Sequence, residues 1–142
     1  PQRGREVLVK AHPTRENEGE LRAVCSGFGE GFVVVKKYDP RRAFMASDLV
    51  LTPFSTVATE ALYCGKPVIS VQPGLVGEDF LITNKLGVNP VVYRKEDLKP
   101  ALERAMNDPA YQEEMARMRE GFVPEGRATE RVTRLAYEML NA

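Results

Sequence analysis

Five short runs of β-branched and apolar residues recur along this chain, Glu6 to Lys10 (EVLVK), Phe32 to Lys36 (FVVVK), Asp48 to Thr52 (DLVLT), Pro67 to Val71 (PVISV) and Pro90 to Tyr93 (PVVY). Each has the length of a strand, and each is apolar on consecutive rather than alternating positions. A strand that is apolar on both sides must be covered on both faces, which is the situation of a parallel sheet between two layers of helices. Helical patterns fill the intervals, so the order reads βαβαβαβαβ and predicts an α/β fold. The expected architecture is a three-layer, Rossmann-like domain with a parallel sheet of about five strands and a helical C-terminus. One hundred and forty-two residues suit one such domain, residues 1–142, with little room for a second.

Charge follows the same division. Residues 47 to 93 contain six charged residues, whereas the stretch from Arg94 onward contains 19. The middle is therefore expected to supply the core and the tail a set of surface helices. Overall, twenty Lys plus Arg balance twenty Asp plus Glu. No global field draws the chain to nucleic acid or anionic lipid. No apolar run approaches the ~20 residues of a membrane span, and no secretory signal is visible, so a cytoplasmic setting is expected. Cys25 and Cys64 lack metal-ligand or CxxC spacing and read as unpaired thiols, and no metal site is expected.

The helices can be placed by periodicity and caps. Arg15 to about Gly27 and Pro40 to Ala46 precede the second and third strands. Ser55 to Cys64 carries Val57, Ala58, Ala61 and Leu62 on one stripe, with Ser55 and Thr56 able to cap its start and Gly65 at its end. A weaker helix spans Asp79 to Leu86. Beyond the last strand come a helix led by Asp97, a second opened by Asp108-Pro109, and a final one after Gly126.

Parallel strands direct the segments after them to one edge, where open α/β sheets bind ligands. His12, the single histidine, follows the first strand, and Pro13 keeps the chain extended there. It reads equally as a ligand contact or as a residue capping a loop. Ser55-Thr56 opens a helix whose free N–H groups form an anion site. Glu60, the only charge between Asp48 and Lys66, lies one turn further along the same helical face. It could accept hydrogen bonds from the vicinal hydroxyls of a ribose. Its alternative is a half-buried carboxylate paired with the Ser or Thr hydroxyls. The loop Gln72 to Asp79 (QPGLVGED), with two glycines and a proline, is either shaped for close approach to a ligand or an ordinary connection. There is no GxGxxG, phosphate-loop lysine or GxSxG motif.

KAHP after the first strand, ASDLVLTPFSTVATEALYCGKPVISVQPG in the middle and KLGVNPVVYRKEDLKPALERAMNDP after it together resemble the C-terminal half of GT-B glycosyltransferases. They are similar to the corresponding halves of the lipid II-forming N-acetylglucosaminyltransferase, UDP-N-acetylglucosamine 2-epimerase and the CDP-glycerol glycerophosphotransferase group. That resemblance implies a nucleotide-sugar donor-binding domain of a glycosyltransferase for polysaccharide or glycolipid synthesis. The donor, a nucleotide diphosphate-sugar, would be a substrate rather than a cofactor. Ser55 and Thr56 would hold its diphosphate and Glu60 its ribose, while Gln72, Gly74, Glu78 and Asp79 would touch its sugar and His12 would match the family's HP dipeptide. The acceptor-binding N-terminal domain would precede Pro1, and the chain alone would be inactive. Two other readings remain open, part of a nucleotide-sugar epimerase and a non-catalytic Rossmann-like module.

Overall fold

The computed structural model describes residue 4, residues 6–122 and residues 126–141. Twelve elements alternate as the apolar runs require: β1 (Val7–Lys10), α1 (Glu18–Ser26), β2 (Phe32–Val35), α2 (Pro40–Ala46), β3 (Val50–Thr52), α3 (Val57–Tyr63), β4 (Val68–Val71), α4 (Ile82–Lys85), β5 (Val91–Val92), α5 (Lys95–Asn107), α6 (Pro109–Glu120) and α7 (Ala128–Leu140). Every strand pairing is parallel. The fold is mixed α/β with a helical C-terminus, as expected.

The five strands do not share one sheet. β1 pairs with β2 in a two-stranded ladder, and β3, β4 and β5 form a three-stranded one with β4 in the centre. β3 is also shorter than the run DLVLT. Asp48 and Leu49 are bent rather than extended, so only three residues remain, and they pair toward β4, where the Val50 amide donates to the Pro67 carbonyl. α2 packs against both β1 and α3 and joins the two halves.

The core sits around β4, whose Val68, Ile69 and Ser70 are all buried. Val68 belongs to a cluster with Phe44, Ala58, Ala61, Leu62, Leu81 and Val88, from α2, α3 and the α4 region. Ile69 belongs to a second cluster with Val92, Ala105 and Met115, from β5, α5 and α6. Adjacent residues of a strand point to opposite faces. The three-stranded sheet is therefore covered on both sides, which is why β4 is apolar on successive positions. The two-stranded ladder is barer, with Val7, Phe32 and Val33 exposed and Val34 buried.

Caps set the helix starts. The Asn17 side chain accepts from the Gly19 and Glu20 amides, Asp39 from the Arg41 amide, and Asp108 from the Ala110 and Tyr111 amides ahead of Pro109. α3 begins two residues later than Ser55, and α4 begins at Ile82 rather than Asp79. α7 is a regular helix whose Val132, Leu135, Met139 and Leu140 are all exposed, so its apolar stripe does not join the core.

Candidate functional site

The turn from β3 into α3 is built by Pro53 and Phe54, which end the strand, and by Ser55, whose Oγ accepts the Val57 amide at 3.2 Å. Thr56 is the N-cap residue with helical backbone angles, and its side chain makes no capping bond. The Ala58 amide donates to the Ser55 carbonyl, and those of Thr59 and Glu60 to the Thr56 carbonyl. The amides of Ser55 and Thr56 themselves have no acceptor among the described residues. They leave two N–H donors open at the carboxyl end of β3.

Glu60 is exposed on the next turn, and its carboxylate makes no ion pair or hydrogen bond among the described residues. The alternative of a half-buried carboxylate held by Ser55 or Thr56 therefore does not describe it. Ser55, Thr56 and Glu60 lie on one strand–turn–helix unit and present open donors and an open acceptor within about a turn and a half of helix.

The loop after β4 is organised differently. Gln72 is buried, and its Nε2 donates to Ser70 Oγ at 3.2 Å and Asp79 Oδ1 at 3.4 Å, while its Oε1 is buried without a partner. Its side chain thus turns into the protein. Gly74 and Gly77 have φ of 81° and 93°, a left-handed backbone that a Cβ would strain. Nothing lies near the position such a Cβ would take at either residue, so the glycines shape the turn rather than clear space for a neighbouring protein atom. Glu78 is exposed and pairs with Lys85.

Asp79 lies two residues before the N-cap of α4 and collects four donors: the Leu81 amide at 2.9 Å, Asn84 Nδ2 at 2.7 Å, Tyr93 OH at 2.9 Å and Gln72 Nε2. Partial burial opposes its ionisation, but the bonds from Asn84, Leu81, Tyr93 and Gln72 outweigh it and hold its pKa below the ordinary value. The same contact, together with burial, raises the pKa of Tyr93. Ser70 Oγ ties this cluster to the first turn. It accepts from Gln72 and from Asn84 and donates to the Pro53 carbonyl at 3.2 Å. Asn84 and Tyr93 escaped sequence reasoning because nothing in their local patterns distinguishes them. Ser70 carried a signal, a lone hydroxyl inside the apolar run PVISV.

His12 stands after β1, in the other ladder, and is exposed. Its Nδ1 accepts the amides of Thr14 and Arg15, each at 3.2 Å, and its own amide donates to Glu16 Oε2. Two donors on Nδ1 assign the proton of the neutral ring to Nε2. His12 thus orders its loop through Nδ1, as the capping reading expects, and its Nε2 has no partner among the described residues. No hydrogen bond connects it to the β3 and β4 loops among the described residues.

Among those residues no group of three His, Cys, Asp or Glu side chains is placed to hold a metal ion, and no helix is long and apolar enough to cross a membrane. Cys25 and Cys64 are both free. A family model described as CDP-Glycerol:Poly(glycerophosphate) glycerophosphotransferase matches residues 2–138, nearly the whole sequence. No curated protein and no solved structure gave a significant match.

Proposed function

The chain belongs to the CDP-glycerol:poly(glycerophosphate) glycerophosphotransferase family, and from that premise we propose that it binds the nucleotide-activated donor of a group-transfer reaction, a CDP-linked polyol in the first instance, whose polyol phosphate is the group transferred. The transferred group would pass to a surface-polysaccharide or glycolipid acceptor. This replaces the broader nucleotide-sugar with the donor that the family's description names, while keeping the same binding parts.

In this reading the diphosphate sits at the β3–α3 turn, where the Ser55 and Thr56 amides and the Thr56 hydroxyl supply donors to anionic oxygens. Glu60 accepts from the two ribose hydroxyls, and His12 offers its Nε2 proton to a phosphate oxygen. Gly74 and Glu78 belong to the loop facing the transferred group, whereas Gln72 and Asp79 act from behind that loop. Transfer of the polyol phosphate forms a bond from its phosphorus to the acceptor oxygen and breaks the phosphoanhydride, releasing CMP, a good leaving group once its charge is neutralised, so the binding residues also serve the chemistry.

The observation that carries the reading is the unpaired, exposed carboxylate of Glu60 one turn beyond two open amides, on a chain matched to this family over residues 2–138. Amide chemical-shift mapping with millimolar CDP tests it. The expected result is saturable shifts centred on Ser55, Thr56 and Glu60. Shifts confined elsewhere, or none, would overturn it.

A further inference from the structure

We infer that Asp79 is a positioning residue, whose carboxylate holds the exposed loop 73–78 in the one shape that presents it to the transferred group of the donor; the second half of this inference rests on the function proposed above. The loop has little else to hold it. All six residues are exposed, Val76 almost completely at 95%, and two of them are glycines in left-handed conformations. A segment without buried apolar contacts opens at low free energy unless polar bonds fix its ends.

Asp79 supplies those bonds. One carboxylate gathers donors from three separate places: Gln72 at the end of β4, Leu81 and Asn84 in the α4 region, and Tyr93 beyond β5. The loop leaves the sheet at Gln72 and returns at Asp79, so a bond between these two residues closes it at its base. Through Ser70, which accepts from Gln72 and Asn84 and donates to the Pro53 carbonyl, the same cluster reaches the turn that carries Ser55 and Thr56. Asp79 thus fixes the base of the loop beside that turn, while Ser70 and the β3–β4 ladder link the turn to the cluster.

A carboxylate suits this task because it is acceptor-only and can take bonds on both oxygens, whereas an amide of the same shape offers one acceptor and turns two hydrogens toward existing donors. Asp79→Asn therefore sets an NH2 group against either Asn84 and Tyr93 or Leu81 and Gln72.

The test compares wild type with Asp79→Asn and Tyr93→Phe, in the 142-residue chain, by amide hydrogen exchange and by titration with CDP and CDP-glycerol. Asp79→Asn is expected to speed exchange of the hydrogen-bonded amides of that segment, Leu75 and Leu81, at least tenfold with β4 and α5 unchanged, and to weaken CDP-glycerol at least fivefold while CDP stays within twofold. Tyr93→Phe, which removes one exposed donor and cannot threaten the fold, is expected to give a smaller acceleration confined to the same segment. Unchanged exchange in 73–81 in both variants would overturn the inference, as would equal losses for CDP and CDP-glycerol. Failure of the underlying reading has a different signature, namely wild type that binds neither nucleotide, and the exchange comparison still decides whether Asp79 holds the loop.

Discussion

Glu60 and Asp79 are both carboxylates on loops or short helices of the same sheet edge, yet their surroundings give them opposite tasks. Among the described residues Glu60 has no hydrogen-bond or ion-pair partner, so folding gains little from its charge beyond its place in the first turn of α3. Glu60→Gln is expected to leave the melting temperature unchanged and to weaken CDP about tenfold, since a hydrogen bond to a charged acceptor contributes roughly 1.5–3 kcal/mol and a decade of affinity is about 1.4 kcal/mol. Paired calorimetric titration and thermal melts check this, and a lowered melting temperature at unchanged affinity would make Glu60 structural. Asp79 is tied to its neighbours, so its charge also contributes to stability. Its folded pKa lies below the ordinary 3.8, so its contribution is complete above that value and is lost as pH falls through the lower folded one. Tyr93 has a folded pKa raised above 10.0, so its contribution is complete below that value and is lost as pH rises through the raised one. The stability difference between wild type and Tyr93→Phe, measured by urea unfolding, is therefore expected to be constant through neutral pH and to shrink once Tyr93 ionises. A difference that grows in alkali would contradict the assignment.

The elements show which parts of a sequence carry their own instructions. α2 and α6 occur at Pro40–Ala46 and Pro109–Glu120, the positions marked by an Asp-Pro start, because a side-chain acceptor and a fixed φ decide a helix start locally. α3 and α4 begin later than their sequence patterns predict, at Val57 and Ile82. Ser55 and Thr56 stand outside α3, and Asp79 spends its acceptors on α4 and three side chains rather than opening the helix itself. Those choices depend on Ser70, Asn84 and Tyr93, which approach only when β4 and β5 pair. At this scale β4 is the element to perturb. Ile69 is fully buried between two helices and its neighbour Val92, so Ile69→Ala is expected to cost about 2–5 kcal/mol in denaturant unfolding. Asp108→Ala, which removes a cap bonded to two amides, is expected to cost about 1 kcal/mol.

In the whole molecule, the apolar patterning announced the class of fold and the parallel direction of all five strands, but not their division into two ladders. Nor does any hydrophobic pattern record that Asp48 and Leu49 are bent and stand outside β3. The positions of Ser55, Thr56 and Glu60 at the end of β3 and on α3 were legible from a strand end and a lone charge. The interior cluster behind them was not, because its members come from β4, α4 and the segment after β5. What unites these observations is a carboxyl edge where Ser55, Thr56 and Glu60 stay open to a ligand while Gln72 and Asp79 are spent on holding the adjoining loop. The most direct test of that account is isothermal titration of the chain with CDP, UDP and GDP in turn. The account predicts one-to-one binding with CDP the tightest of the three; equal affinity for all three, or no binding of CDP, would contradict it.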